Sequence, residues 1–159
     1  MTLAYLGVGS NLGDRKKNID EARVLLKKNG VMIKRISPLY ETDAVVKGNQ
    51  SMPEFLNGVF EIETKKEPME LLTLLEEVEK ELGRRQKGDW GPRTIDLDLL
   101  FYGDSVIDSK RLQVPHPEIP NRWFVLKPLS DLAPDFVHPV LRKTIKELIL
   151  CNSSSTPQM

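Results

Sequence analysis

Apolar residues recur at two different periods along this chain, and the switches between them mark its elements. Residues 3–8, LAYLGV, form a short apolar run that stops at Gly9, Ser10 and Asn11, as a buried strand does. Asp14 then stands where a helix N-cap belongs, Ile19, Ala22 and Leu26 repeat on one helical face, and Gly30 is placed to end that helix. A second strand is expected over residues 31–36. Pro38 breaks it, and the Gly, Asn, Gln, Ser and Pro content of residues 42–53 predicts a long loop of the kind that often carries function. Residues 56–63, LNGVFEIE, give a third strand. Pro68 opens an amphipathic helix built on Leu71, Leu75, Val78 and Leu82, which Gly83 ends.

The fourth strand spans residues 95–102, rich in Ile, Leu and aromatics and bounded by Pro92 and Gly103. A short Ser-Val-Ile segment, a Pro-rich connection and two short helices near 122–129 and 143–150 follow it. The polar tail, residues 152–159, is expected to fray. Strand, helix, strand, strand, helix, strand is the order of a ferredoxin-like α+β sandwich, an antiparallel sheet with helices on one face, here carrying long loops. One domain over residues 1–151 is expected. Fold alone assigns no activity.

Chemistry enters with the fourth strand. Alternation puts Asp96, Asp98, Leu100 and Tyr102 on one face and turns Ile95, Leu97, Leu99 and Phe101 toward the core. Two carboxylates about 7 Å apart on one face repel by about 2 kcal/mol at an effective dielectric near 20, so compensation is needed. Magnesium suits the pair, because it takes one or two carboxylates and completes its octahedron with water and phosphate oxygens. A solvated strand face is the alternative, although Asp is disfavoured in strands and occurs here twice.

Just upstream, residues 83–93 carry Arg84, Arg85, Lys87 and Arg93 among Gly83, Gly88, Gly91 and Pro92, which predicts a mobile loop. The chain as a whole holds 23 basic and 23 acidic residues, so this cationic density is local. Either it is a solvated charge run or it receives a polyphosphate through bidentate arginines. Trp90 either covers a flat ligand when the loop closes or anchors the loop to the core.

Bulk properties narrow the field further. Neutral balance with a pI near 6.8 argues against a dedicated nucleic-acid or membrane-surface binder. The opening residues carry no signal-peptide pattern, and no apolar run reaches the roughly 20 residues that span a bilayer, so a cytoplasmic protein is expected. The single Cys151 has no internal disulfide partner, and with only His116 and His138 beside it a zinc cluster is poorly supported. Gly7, Gly9 and Gly13 are spaced GxGxxxG, which is not a dinucleotide fingerprint, and Asp89 stands where a phosphate loop after Gly83 and Gly88 requires Lys. The early glycines instead let the backbone pass close to a neighbour or ligand.

Taken together, the blocks YLGVGSNLGDR, FLNGVFEIET, WGPRTIDLDLLFYG and VPHPEIPNRWFVLKPLSDLAPDFVHP resemble hydroxymethyl-dihydropterin pyrophosphokinase of folate biosynthesis over about residues 2–150. The resemblance implies transfer of pyrophosphate from ATP to the hydroxymethyl group of a reduced pterin, with release of AMP. It implies catalytic roles for Arg84, Arg93, Asp96 and Asp98, with the two aspartates holding two Mg2+ ions. Nucleotide-binding roles follow for Arg84, Arg93, Arg111, His116 and Arg122, with Glu79 beside them. Phe55, Asn57, Trp90 and Phe124 match pterin contacts, and backbone groups from Thr42 to Val45 add hydrogen bonds. ATP and the pterin are the implied partners of a monomer that binds neither nucleic acid nor membrane.

Two stretches depart from the family pattern. Asp43, Ala44, Val45 and Val46 replace a Thr-x-Pro-Val-Gly stretch, with residues 47–52 lengthening the loop, and the cationic loop leaves either Arg85 or Lys87 as its second cation. Two rivals remain open at this level: an RNA-binding sheet, disfavoured by the missing aromatic strand motif and basic excess, and an ordinary γ-phosphate kinase.

Overall fold

The structure, a computed structural model, describes residues 1–42, 54–83 and 94–155, with side chains through Cys151. Its chain order is β1 (Thr2–Ser10), α1 (Arg15–Lys28), β2 (Met32–Ile36), β3 (Tyr40–Thr42), β4 (Phe55–Thr64), α2 (Pro68–Glu81), β5 (Asp96–Tyr102), β6 (Ile107–Asp108), β7 (Gln113–Val114), a 3-10 turn (Ile119–Asn121), α3 (Trp123–Leu132) and α4 (Ile145–Ser155). The main sheet is antiparallel in the order β2-β4-β1-β5, and β3 pairs with the other half of β4, along the edge that β2 occupies further down. This is the expected α+β sandwich. Asp14 caps α1 by accepting the Lys17 amide at 3.2 Å, and Pro68 is the first residue of α2. Gly30 and Gly83 take φ of 89° and 114°, left-handed conformations that end a helix at little cost in glycine.

Helices cover both faces, not one. Ala4, Leu6 and Val8 of β1 pack with Phe60, Ile62, Leu97 and Leu99 against Ile19, Ala22 and Leu26 of α1 and Leu71, Leu75 and Val78 of α2. On the opposite face Tyr5, Val59, Leu100 and Phe101 pack against Leu126, Leu129 and Leu132 of α3 and Ile145 and Leu148 of α4. The α1/α2 layer is the one expected from the ferredoxin-like order. The C-terminal pair adds the second layer, because β1 is apolar on both sides and each side must be buried.

A second correction concerns strand β5. Tyr5 lies opposite Phe101, but the next residue of β1, Leu6, lies opposite Leu99, so Leu100 is the extra residue of a β-bulge. One inserted residue reverses the alternation beyond it. Phe101 therefore turns to the α3/α4 core, and Tyr102 joins the α1/α2 core, where its hydroxyl donates to the Lys66 carbonyl at 2.6 Å. Asp96 and Asp98 precede the bulge and keep their common face.

Polar contacts fix α3 to the sheet. Arg35 of β2 makes a two-pronged pair with Glu61 of β4 (2.8 Å each) and reaches the Leu132 carbonyl at the end of α3 (2.6 Å). The Tyr5 hydroxyl donates to the same carboxylate at 2.7 Å. The bond from Arg35 holds Glu61 below the ordinary carboxylate range, and burial, then the bond to Glu61, pushes the Tyr5 phenol well up. Tyr40 of β3 bonds Asp131, also in α3. The far end of α3 is thus held twice, which sets the direction of its first turn, where Arg122 and Phe124 lie.

His138 closes the second core. Its ring meets Phe101 edge-on at 5.4 Å, and its Nδ1 accepts the amides of Val140 (3.2 Å) and Leu141 (3.0 Å). Burial pushes its pKa below the ordinary 6.5. Because the folded value lies below the unfolded one, the neutral ring contributes stability in full above about pH 6.5, and that contribution is lost as the pH falls toward the depressed value. Urea-unfolding free energies measured between about pH 7 and pH 5 are expected to fall less steeply in a His138→Gln variant than in the wild type. Equal slopes in the two proteins would contradict this.

Candidate functional site

One row of residues crosses four strands. Tyr40 of β3 is opposite Asn57 of β4, Asn57 is opposite Gly9 of β1, and Gly9 is opposite Asp96 of β5. Antiparallel partners share a face, so the row runs from an amide to a carboxylate across a residue that has no side chain. In the next row the order is Val59, Gly7, Asp98. Strands about 4.8 Å apart put Asn57 and Asp96 roughly 10 Å from each other, with bare backbone between them. Gly9 thus floors a short lane, Leu100 packs over Gly7 with its Cδ2 3.5 Å from where a Cβ would stand, and the carboxylates, both half-buried, form the far side.

The near side is organised around Asn57. Its Nδ2 donates to the Thr42 hydroxyl at 2.7 Å, and its Oδ1 lies 2.8 Å from where a Cβ on Gly9 would stand. Phe55, two residues along β4, lies beside the same glycine, its Cδ1 3.5 Å from that point. The third side comes from the chain after β7. The bulge leaves the Leu100 carbonyl to accept the His116 amide at 3.0 Å, which docks the His116 segment beside the aspartates. Val114 and Pro115, just before it, are joined by a cis peptide bond.

The Nδ1 of His116 accepts the Glu118 amide at 3.1 Å, which assigns the ring proton to Nε2. Burial, and then the charge of Arg122, lower its pKa, against the opposing influence of Glu118 and Asp96. At neutral pH it is an uncharged donor close to a cation and a carboxylate. Arg122 lies over the Phe124 ring, its Cζ 5.9 Å from the centroid. Phe124 is half-buried, belongs to neither core cluster and meets Trp123 edge-on at 6.3 Å between centroids.

Glu79 and Arg111 each bond within the protein. Glu79 is buried on α2 and its carboxylate accepts the Leu97 amide at 2.8 Å, the peptide between the two aspartates, which holds the outer edge of β5 in place. Arg111, on the turn between β6 and β7, is exposed and pairs with Glu76 of α2 at 2.6 Å. Arg84, Arg93 and Trp90 lie outside the described residues, as do Arg85, Lys87, Val45 and the rest of the 43–53 stretch. Among the described residues no group of three or more His, Cys, Asp or Glu side chains forms a ready metal cage, and no helix is long and apolar enough to cross a membrane.

Two features were not anticipated from the chain alone: the orienting bond from Asn57 to Thr42 and the anchoring of β5 by Glu79. The early glycines do let neighbours approach closely, Leu100 over Gly7 and Asn57 over Gly9.

The profile of the 7,8-dihydro-6-hydroxymethylpterin-pyrophosphokinase family matches residues 5–134. A 2-amino-4-hydroxy-6-hydroxymethyldihydropteridine pyrophosphokinase of Aquifex aeolicus is 44% identical over 147 residues, 92% of this chain and 90% of that protein. The protein of the same name from Bacillus subtilis is 43% identical over 131 residues, 82% of this chain and 77% of its own length. Among solved structures, the wild-type Plasmodium falciparum HPPK-DHPS crystallised with pteroate superposes with a TM-score of 0.76 at 18% identity, over 96% of this chain and 44% of that one. At that identity the likeness is one of fold.

Proposed function

We propose a seating for substrates on this sheet from one premise: the chain belongs to the 7,8-dihydro-6-hydroxymethylpterin-pyrophosphokinase family. It is a pyrophosphokinase of folate biosynthesis, moving pyrophosphate from ATP to the hydroxymethyl group of 6-hydroxymethyl-7,8-dihydropterin and releasing AMP. The observation that supports the seating is the short lane between Asn57 and Asp96, floored by Gly9. A flat heterocycle lies along it with its polar edge at Asn57 and its hydroxymethyl arm toward β5. Phe55 and Phe124 flank the ring.

The donor set fits magnesium. Asp96 and Asp98 are hard oxygen ligands on one face, with the side-chain-free Gly9 opposite Asp96, a set of two that suits an ion filling its other positions with water and phosphate. Two bound Mg2+ ions would supply neutralisation of the polyphosphate charge. The chain's own groups position the reactants and carry no covalent intermediate. Arg122 and the Nε2 proton of His116 hold phosphate oxygens, and Arg84 and Arg93 balance charge on the transferred group. The hydroxymethyl oxygen bonds to the β-phosphorus in line as the bond to the α,β-bridging oxygen breaks. AMP departs with that oxygen, and the hydroxyl proton is released.

Incubation with ATP, Mg2+ and hydroxymethyl-dihydropterin, followed by separation of the nucleotides, tests donor, acceptor and metal together. AMP forming only when the pterin and the metal are both present is the expected result. ADP as the product would mean γ-phosphate transfer and overturn the seating.

A further inference from the structure

Asn57 is useful to a ligand only if its amide points one way. An amide presents an acceptor and a donor that differ in chemistry but hardly in shape, so a rotation of 180° would reverse what the lane recognises. Two neighbours hold the side chain: the Thr42 hydroxyl, which can bond either end of an amide, fixes its place, and the Gly9 side decides which end is the oxygen. On the β3 side the Thr42 hydroxyl accepts from Nδ2 at 2.7 Å. On the β1 side Oδ1 lies over Gly9, 2.8 Å from the place a Cβ would occupy, a position open only because residue 9 is glycine. There an oxygen gains a weak contact with the glycine Cα hydrogens, whereas an NH2 group would find nothing to donate to. Among the described residues Oδ1 accepts no hydrogen bond, so the acceptor is held toward the lane and left for a ligand.

From this geometry we infer that Gly9 and Thr42 are positioning residues that lock the Asn57 amide and so determine which edge of a heterocycle the enzyme accepts. The locked amide offers its oxygen on the β1 side and its remaining N–H on the β3 side. It selects a ring edge that carries a donor toward β1 and an acceptor toward β3, and rejects the reverse. Neither residue reacts; both act through Asn57. The specificity assigned rests on the seating described above, but the lock is a property of the free protein.

Two measurements separate the lock from the reaction. In the free protein, 15N-correlated NMR reads the Asn57 side-chain NH2 pair, identified by its absence in Asn57→Asp. Thr42→Val is expected to shift that pair and bring its two proton frequencies together, whereas Thr42→Ser leaves them near wild type. In steady-state assays Thr42→Val is expected to raise the pterin KM about 10-fold, the scale of one lost orienting hydrogen bond, with the ATP KM within about two-fold. Thr42→Ser restores the pterin KM. Gly9→Ala, whose backbone conformation alanine also adopts, is expected to displace the NH2 signals and weaken pterin use at least as much, with thermal unfolding checking that it folds.

An unchanged NH2 pair in Thr42→Val would overturn the lock. So would a serine variant as damaged as the valine one, or pterin and ATP KM values that rise together. If the wild type made no AMP from pterin, the reaction assignment would fall while the NMR comparison still decided the lock.

Discussion

Turnover is expected to fall by about 10³-fold or more when Asp98 is replaced by alanine, with the free energy of unfolding changed by no more than about 1 kcal/mol. Asp98 is half-buried on a strand whose backbone is held by β1 and by Glu79, so the strand keeps its place without the carboxylate. Its removal also relieves repulsion from Asp96, which favours the ligand-free fold. What is lost is one of two oxygens positioned to make a highly negative cosubstrate tolerable at this edge of the sheet. AMP formation under saturating ATP and thermal unfolding of the same preparation check both halves. Near-wild-type turnover would refute the role of the pair.

Phe101→Ala is the substitution with the largest expected effect on stability, about 3–5 kcal/mol, lowering Tm by about 10 °C. The ring is fully buried, lies 4.7 Å from Phe136 and 6.3 Å from Tyr5 between centroids, and meets His138 edge-on. These neighbours belong to the α3/α4 side, so the cavity would open under the helices that present Arg122 and Phe124. Urea unfolding measures the loss directly. A cost below about 1 kcal/mol would contradict the packing of this ring against Phe136, Tyr5 and His138.

Local chemistry announced the helix ends, and for that reason they were legible: the Asp14 carboxylate, the ring of Pro68 and the freedom of Gly83 act within one turn of where they stand. Asp96 and Asp98 were legible too, as two charged residues in a run whose other members are apolar. The bulge at Leu100 was not. Leu99, Leu100, Phe101 and Tyr102 are all suited to burial, so the pattern reads the same with or without an inserted residue, and only pairing with β1 decides it. The second helical layer did leave a trace, because the uninterrupted run LAYLGV belongs to a strand covered on both sides.

Long-range partners account for the rest. Asn57 announces polarity in a strand, but its orientation depends on Thr42, which reaches it across the connection between β3 and β4. Glu79 resembles any helical carboxylate until β5 folds against α2 and places the Leu97 amide in front of it. His116 joins the aspartates through a carbonyl that the bulge sets free, a contact with no marker in the local sequence.

Whether these two carboxylates recruit dications together with ATP is best decided by electron paramagnetic resonance of Mn2+ titrated into the protein with α,β-methylene ATP, an analogue whose reacting bridge cannot break. The wild type should bind Mn2+ in the ternary complex, and the Asp98→Ala protein, folded and at the same concentration, should bind it at least about 10-fold more weakly. Equal Mn2+ affinity in the two proteins would show that the metal–nucleotide complex settles without the paired acids of β5.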